Sequence, residues 1–336
     1  MFSVIKKADQ GRPITQDEAE RLYNISDSEI LFLLATANKI KIHHFGNKVD
    51  LCSLINAKSG NCPENCTFCS QSIHSNTNIN TYKLVSKETI LTRATEMERA
   101  GAHRFCIVIS GRTINRPAER RRILESIELI KSKTNLRTCA SLGFLDTRWA
   151  ESLVNSGLDR YHHNLETARS FFPQICTTHS YEQRIETVLT AHDAGLEVCC
   201  GGIWGLGESP QQRIELAFTL RELPVTSIPI NLLNPIPGTP LEHTPLEPPL
   251  NHLKMVAIYR LIFPTTEIRF AGGREINLRQ LQPLGLLAGA NGLMIGHYLT
   301  TLGRNIKDDL SMLADLNLSF GDEGEISNNK KIRKSL

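Results

Sequence analysis

The chain has 336 residues, 40% hydrophobic and 22% charged, with a formal net charge of +3. That length supports one large core, two ordinary ones, or a barrel of ~250 residues with extensions. The near-balanced charge argues against nucleic acid or a membrane surface as partner. No run approaches the ~18 apolar residues of a membrane span, and the start MFSVIKKADQ lacks the apolar core of a signal peptide, so a cytoplasmic protein with reduced thiols is expected. Nine cysteines in that setting point to metal or redox chemistry rather than disulfides.

Residues 1–49 read as a helical extension. Thr15 with Glu18, and Ser26 with Glu29, have the spacing of capping boxes. Ile30, Leu33, Leu34, Ala37 and Ile40 then form a helical apolar stripe. From residue 50 a strand–helix alternation begins. Strand-like runs fall at 51–56, 104–109, 136–142, 158–164, 196–203, 227–233, 267–272 and 292–296, and helical patterns lie between them, the last at 277–289. Ser180 with Gln183, and Ser209-Pro210 with Gln212, mark two helix starts. Eight alternations predict an α/β chain folded as a (β/α)8 TIM-type barrel over 50–315. A doubly wound open sheet is disfavoured, because no G-x-G-x-x-G follows the first strand. The Pro-rich stretch 235–250 is a connection, and residues 316–336 form a polar C-terminal tail ending KKIRKSL.

The loop SGNCPENCTFC carries Cys62, Cys66 and Cys69 as C-x3-C-x2-C directly after the first strand. In a barrel this is the active-site end. Structural zinc usually takes two separated knuckles, and a ferredoxin run would carry four cysteines. Three thiolates instead suit a [4Fe–4S] cube with one iron open to a chelating ligand. Cys106, Cys139 and Cys199 lie in the second, third and fifth candidate strands, and Arg269 lies in the seventh. Strand alternation lets all three thiols face the barrel interior at similar depth. Each cysteine alone is more often core packing. Three that converge beside an arginine point to a second metal site whose negative charge the guanidinium offsets.

The C-x3-C-x2-C loop resembles that of the radical S-adenosylmethionine (SAM) enzymes. Together with RFCIV, CASLG, VCCGG, IRFAGGRE, YHHNLET and PINLL it resembles the biotin synthase family, over residues 40 to 315. The resemblance implies that Cys62, Cys66 and Cys69 hold a [4Fe–4S] cluster whose open iron chelates SAM. It implies that Cys106, Cys139, Cys199 and Arg269 hold an auxiliary cluster, [2Fe–2S] in most descriptions of the family. It places SAM against Phe68, Asn164, Glu166 and Ile203, and substrate against His162, Asn164 and Asn231. His162 and Glu166 stand where the better-known family pattern has Asn and Asp. Cys52, Cys176 and Cys200 receive no role; core packing is the default for Cys200, and the extra thiols leave open a larger auxiliary cluster than [2Fe–2S]. The implied reaction is sulfur insertion into dethiobiotin to give biotin, in a homodimer, with electrons from a flavodoxin or ferredoxin-type donor. Rival readings are another radical SAM barrel of the same branch, such as a hydrogenase maturase or methylornithine synthase, and a non-enzymatic iron–sulfur carrier. A carrier needs neither a SAM segment nor a polar barrel lining.

Overall fold

The computed structural model describes residues 2–320. Eight parallel strands run in sequence order: β1 (Asp50–Lys58), β2 (Arg104–Ile109), β3 (Arg137–Ser141), β4 (Arg160–His162), β5 (Glu197–Cys199, resuming at Gly202–Trp204), β6 (Ser227–Leu232), β7 (Glu267–Phe270) and β8 (Gly292–Met294). β8 pairs back onto β1 with Asp50 opposite Gly292, so the sheet closes into a barrel and the open-sheet alternative falls away. The gap in β5 has a local cause. Gly201 faces Pro229 of β6, which has no amide proton to give the ladder. A Cβ on Gly201 would lie 2.2 Å from the Pro229 carbonyl oxygen, so the two backbones meet there with no room for a side chain.

The three N-terminal helices are α1 (Phe2–Asp9), α2 (Gln16–Tyr23) and α3 (Ile30–Phe45). Both expected capping boxes form, and the stripe from Ile30 to Ile40 is buried. Helices α4 (Lys87–Arg99), α5 (Pro117–Lys133), α6 (Thr147–Asn155), α7 (Tyr181–Asp193), α8 (Pro210–Arg221) and α9 (Pro249–Ile262) follow the strands in turn. The extension packs on α8 and α9. Every residue of α9 from His252 to Ile262 is buried, because the helix lies between the barrel and the extension. Lys41 is buried in the same layer; its Nζ donates to the Leu286 carbonyl at 3.0 Å, and burial lowers its pKa to about 8.

The expected helix over 277–289 forms as two pieces, α10 (Arg274–Leu278) and α11 (Gln282–Leu287). Pro283 is the reason: its ring excludes a helical bond to the residue-279 carbonyl, and Arg279 turns to φ +51°. The last helix is α12 (Ile306–Asp315). Of the segment read as a polar tail, residues 316–320 lie on the barrel, where Leu318 is buried and the Ser319 carbonyl accepts from the Val49 amide at 2.8 Å. The rest of that segment, with its basic end, lies outside the described residues. Among the described residues no helix is long and apolar enough to cross a membrane.

His252 on α9 is fully buried against Trp204, with neither ring nitrogen hydrogen-bonded. Burial and the nearby Arg213 lower its pKa from 6.5 to about 4. The unfolded chain therefore takes up this proton first as the pH falls. Stability is complete above about pH 6.5 and declines toward pH 4, by about 3 kcal/mol from this group. A urea series between pH 7 and 4.5 should show that slope, and His252→Asn should flatten it. An unchanged slope in the variant would assign the acid loss to other groups.

Candidate active site

The loops after the strands' C-terminal ends enclose a cavity of about 400 Å³ that continues into the barrel. Cys62, Cys66 and Cys69 line its mouth, whereas Cys106, Cys139, Cys199 and Arg269 line its floor. Phe68, His162, Asn164, Glu166, Ile203 and Asn231 line the wall between them. All thirteen residues singled out in the sequence thus face one cavity.

The mouth loop is braced from three sides. The Thr67 amide donates to the Ile175 carbonyl at 3.0 Å, tying it to the segment after β4. The Asn76 amide donates to the Gly238 carbonyl at 2.8 Å, tying it to the Pro-rich connection. Ser70 and Thr300 hydroxyls meet at 2.9 Å, tying it to the segment after β8. Glu64, inside the loop, bonds Thr178 and His179 (Oε2 to Nδ1 2.5 Å) and pairs with Arg112 at 3.1 Å. Burial opposes its charge, but those bonds hold its pKa below the ordinary value.

Burial raises the Cys62 thiol and lifts that of Cys69 to about 11. Cys176, within 4.8 Å of Cys66, raises the Cys66 thiol, and Cys66 in turn, with His179 and Thr178, lowers Cys176 to about 3. Among the described residues, one set of three ligand-type atoms lies within 4.8 Å of one another, and it is Cys66, Cys176 and His179. Cys62, Cys66 and Cys69 are spread wider than a single ion requires. A polynuclear cluster suits that spread and that donor chemistry.

At the floor, Cys106 and Cys139 are register partners on β2 and β3, and each thiol is the largest influence on the other's ionisation. Cys199 Sγ lies 3.4 Å from His162 Nδ1 and 3.7 Å from Ser227 Oγ. His162, singled out for substrate, therefore also abuts a floor thiol, and burial lowers its pKa so that the ring is neutral. Arg104 and Arg160 enter the same space. Arg104 Nε and Nη1 and Arg160 Nη1 are buried with no hydrogen-bond partner. Orphaned guanidinium donors beside thiols fit an anionic group such as a thiolate-bound cluster.

On the wall, β4 ends in a bend where Glu166 adopts φ +71°. Asn164 Oδ1 accepts from the Gly201 amide at 3.1 Å and its Nδ2 donates to Glu166 at 3.3 Å. Arg184 on α7 donates to the Asn164 carbonyl at 2.8 Å and to Glu166 at 3.3 Å. Asn231 is held between backbones, donating to the Gly202 carbonyl at 3.2 Å and accepting from the Gly272 amide at 3.1 Å. Phe68 and Ile203 rest on a small apolar cluster of Ala168, Phe171, Ile175, Leu206 and Leu233, apart from the main core.

Comparison with known proteins adds to this geometry. Residues 57–220 match the Radical SAM superfamily, and residues 229–319 match the Biotin and Thiamin Synthesis associated domain. The biotin synthase of Pelotomaculum thermopropionicum is 51% identical over 95% of this chain and 99% of its own. That of Carboxydothermus hydrogenoformans is 50% identical with the same coverage. The chain belongs to the biotin synthase family. Among solved structures, methylornithine synthase (PylB) matches with TM-score 0.82 at 21% identity, covering 97% of this chain and 99% of its own. The hydrogenase maturase HydG of Carboxydothermus hydrogenoformans matches with TM-score 0.79 at 18% identity, covering 96% and 80%. At such identity these two share the fold with a biotin synthase family member, and neither rival reading of the sequence is supported beyond that.

Sequence reading passed over Arg184, Glu64 and His179, which position the wall and the loop, and Arg104 and Arg160 at the floor. It also gave Cys52 no role, and Cys52 lines the cavity; Cys200, read as core packing, does lie in the main core. Arg104 had a signal, since it shares parity with Cys106. Arg184 had none.

Gly202 offers a direct test of the wall. A Cβ there would lie 2.5 Å from the Glu166 carbonyl oxygen and 2.8 Å from Leu216 Cδ2. Gly202→Ala must displace the Glu166 bend, and a shift near 1 Å is expected to lower kcat/KM for SAM cleavage by ~10²-fold. An unchanged value, with a normal circular dichroism spectrum, would remove Glu166 from the SAM site.

Proposed function

We propose that this biotin synthase family member converts dethiobiotin to biotin by inserting one sulfur atom between two unactivated carbons. Radical SAM membership brings SAM and a [4Fe–4S] cluster, and we assign that cluster to Cys62, Cys66 and Cys69. Cys106, Cys139 and Cys199, with Arg269 beside them, would hold an auxiliary [2Fe–2S]-type cluster, which would supply the inserted sulfur. The observation that carries this reading is the placement of two thiol sets at opposite ends of one cavity.

When bound, SAM and its cluster supply a carbon-centred radical that removes hydrogen from an unactivated C–H bond. The chain supplies the geometry. Glu166 accepts from ribose hydroxyls, with Arg184 and Asn164 fixing its carboxylate. The apolar cluster under Phe68 and Ile203 seats the adenine. Asn164, Asn231 and His162 face the ureido ring, whose donors and acceptors amides complement. The enclosed cavity keeps water from the radical. Residues 2–49 form the extension, and residues 50–320 form the catalytic barrel with the segment that packs on it. A flavodoxin or ferredoxin-type protein gives the electrons, and the chain works as a cytoplasmic homodimer.

Anaerobic incubation of the iron- and sulfide-loaded protein with SAM, a reductant and dethiobiotin should yield biotin. SAM cleavage without biotin, under conditions where both clusters are intact, would overturn the substrate assignment.

A further inference from the structure

We infer that His179 is a positioning residue for SAM: one imidazole holds Arg184 against the cavity wall and ties that wall to the mouth loop. The inference rests on the placement of SAM against Asn164 and Glu166 proposed above.

His179 lies between β4 and α7, 7% exposed, and lines the cavity together with Glu64, Glu166 and Arg184. Its Nε2 accepts from Arg184 Nε at 3.0 Å, and its Nδ1 meets Glu64 Oε2 at 2.5 Å. The first contact fixes the tautomer. A guanidinium Nε always carries its hydrogen, so the imidazole must present a lone pair at Nε2. That leaves the ring's one proton at Nδ1, where Glu64 accepts it. Phe144 and Phe172 lie against the ring, with centroids at 5.2 and 5.6 Å, and set its plane. Both nitrogens and both faces of the ring are thus committed.

From Arg184 the contacts run on to the wall. Its Nη1 donates to the Asn164 carbonyl at 2.8 Å and to Glu166 Oε1 at 3.3 Å. The Nε bond to His179 decides where that fork points, because a long side chain keeps one rotamer only where packing and supporting bonds lock it. On the other side, Glu64 stands between Cys62 and Cys66 in the sequence. One ring therefore spans the gap between the loop assigned to the cluster and the bend that faces SAM. The loop also has its own tie to the segment before α7. Asn65 Nδ2 donates to Thr177 Oγ1 at 2.7 Å, and Asn65 Oδ1 accepts from the Thr177 amide at 2.9 Å. Removing the His179 bonds should leave the loop in place and release Arg184 and Glu166.

The test uses full-length protein loaded anaerobically with iron and sulfide, as wild type, His179→Asn, His179→Gln, Arg184→Gln and the double variant His179→Asn/Arg184→Gln. An asparagine amide reaches the Nδ1 position and keeps Glu64, but falls short of Arg184. A glutamine amide reaches the Nε2 position, where its oxygen accepts from Arg184. Iron and acid-labile sulfide per chain report the clusters. Equilibrium SAM binding, with the change SAM causes in the electron paramagnetic resonance of the reduced loop cluster, reports alignment. His179→Asn should keep its iron and sulfide, bind SAM ~10-fold more weakly, the lower end of what a supporting partner commands, and lose part of the spectral change. His179→Gln should restore most of both. In the Arg184→Gln background His179→Asn should add nothing, because residues that act as one unit do not contribute twice. Equal losses in His179→Asn and His179→Gln, an undiminished loss in the Arg184→Gln background, or departure of the loop cluster's iron from His179→Asn would overturn the inference. Normal SAM binding in His179→Asn, with weakened binding in Arg184→Gln, would overturn it and leave the SAM wall standing. Unaltered SAM binding in Arg184→Gln would overturn both.

Discussion

Replacing Cys62, Cys66 or Cys69 with Ala is expected to end reductive SAM cleavage, with 5′-deoxyadenosine formation falling by ~10³-fold or more. Loss of an inner ligand exceeds the ~10–100-fold in affinity that a supporting partner commands. Each thiol has its own environment, yet the expectation is the same for all three. Burial raises Cys62 and Cys69, so iron binding at these thiols would release their protons. Cys66 has Cys176 and His179 within 4.8 Å, which makes its variant the informative one. If Cys176 and His179 could substitute, Cys66→Ala would retain a cluster. Their position on the segment after β4, tied to Asn65 and Glu64, holds them on one side of the loop. Residual cleavage in Cys66→Ala that vanishes in Cys66→Ala/Cys176→Ala would reveal such rescue. Retained cleavage in all three single variants would mean that the loop does not hold the SAM cluster.

The second large effect is expected at the floor. Cys139→Ser should stop biotin formation while leaving SAM cleavage in place at least in part, because the two thiol sets occupy opposite ends of the cavity. Cys139 is 4% exposed, in register with Cys106 on one side and Arg160 on the other. Its removal leaves the braces of the mouth loop untouched, since those run to the segments after β4, β6 and β8. The measurement is paired: biotin and 5′-deoxyadenosine from the same anaerobic reaction. Wild-type biotin yield from Cys139→Ser would return the floor cysteines to plain packing and place the sulfur source elsewhere.

The contrast between these sites also shows what a sequence discloses. The mouth loop was legible because its three ligands sit within eight positions, where spacing is the signal. Cys106, Cys139 and Cys199 were legible through strand parity, which is local too. Cys52 escaped because LCSLINAK is buried on both faces, so hydrophobicity cannot say which side looks inward. Arg184 and His179 escaped because their partners, Glu166 and Glu64, lie 18 and 115 residues away. The barrel could be read from its alternation, but the break in β5 depended on Pro229 in the next strand. The split between α10 and α11 is the opposite case, since Pro283 stood in plain view within the expected helix. The buried face of α9 reflects a tertiary sandwich that no periodicity announces.

The most direct test of the account follows the sulfur. The protein would be loaded with iron and ³⁴S-sulfide, freed of excess sulfide, and given SAM, reductant and dethiobiotin for one anaerobic turnover. The account predicts biotin carrying ³⁴S, two 5′-deoxyadenosine per biotin, and loss of the auxiliary spectrum in step with product. Biotin containing only unlabelled sulfur, or an auxiliary spectrum unchanged by turnover, would contradict it.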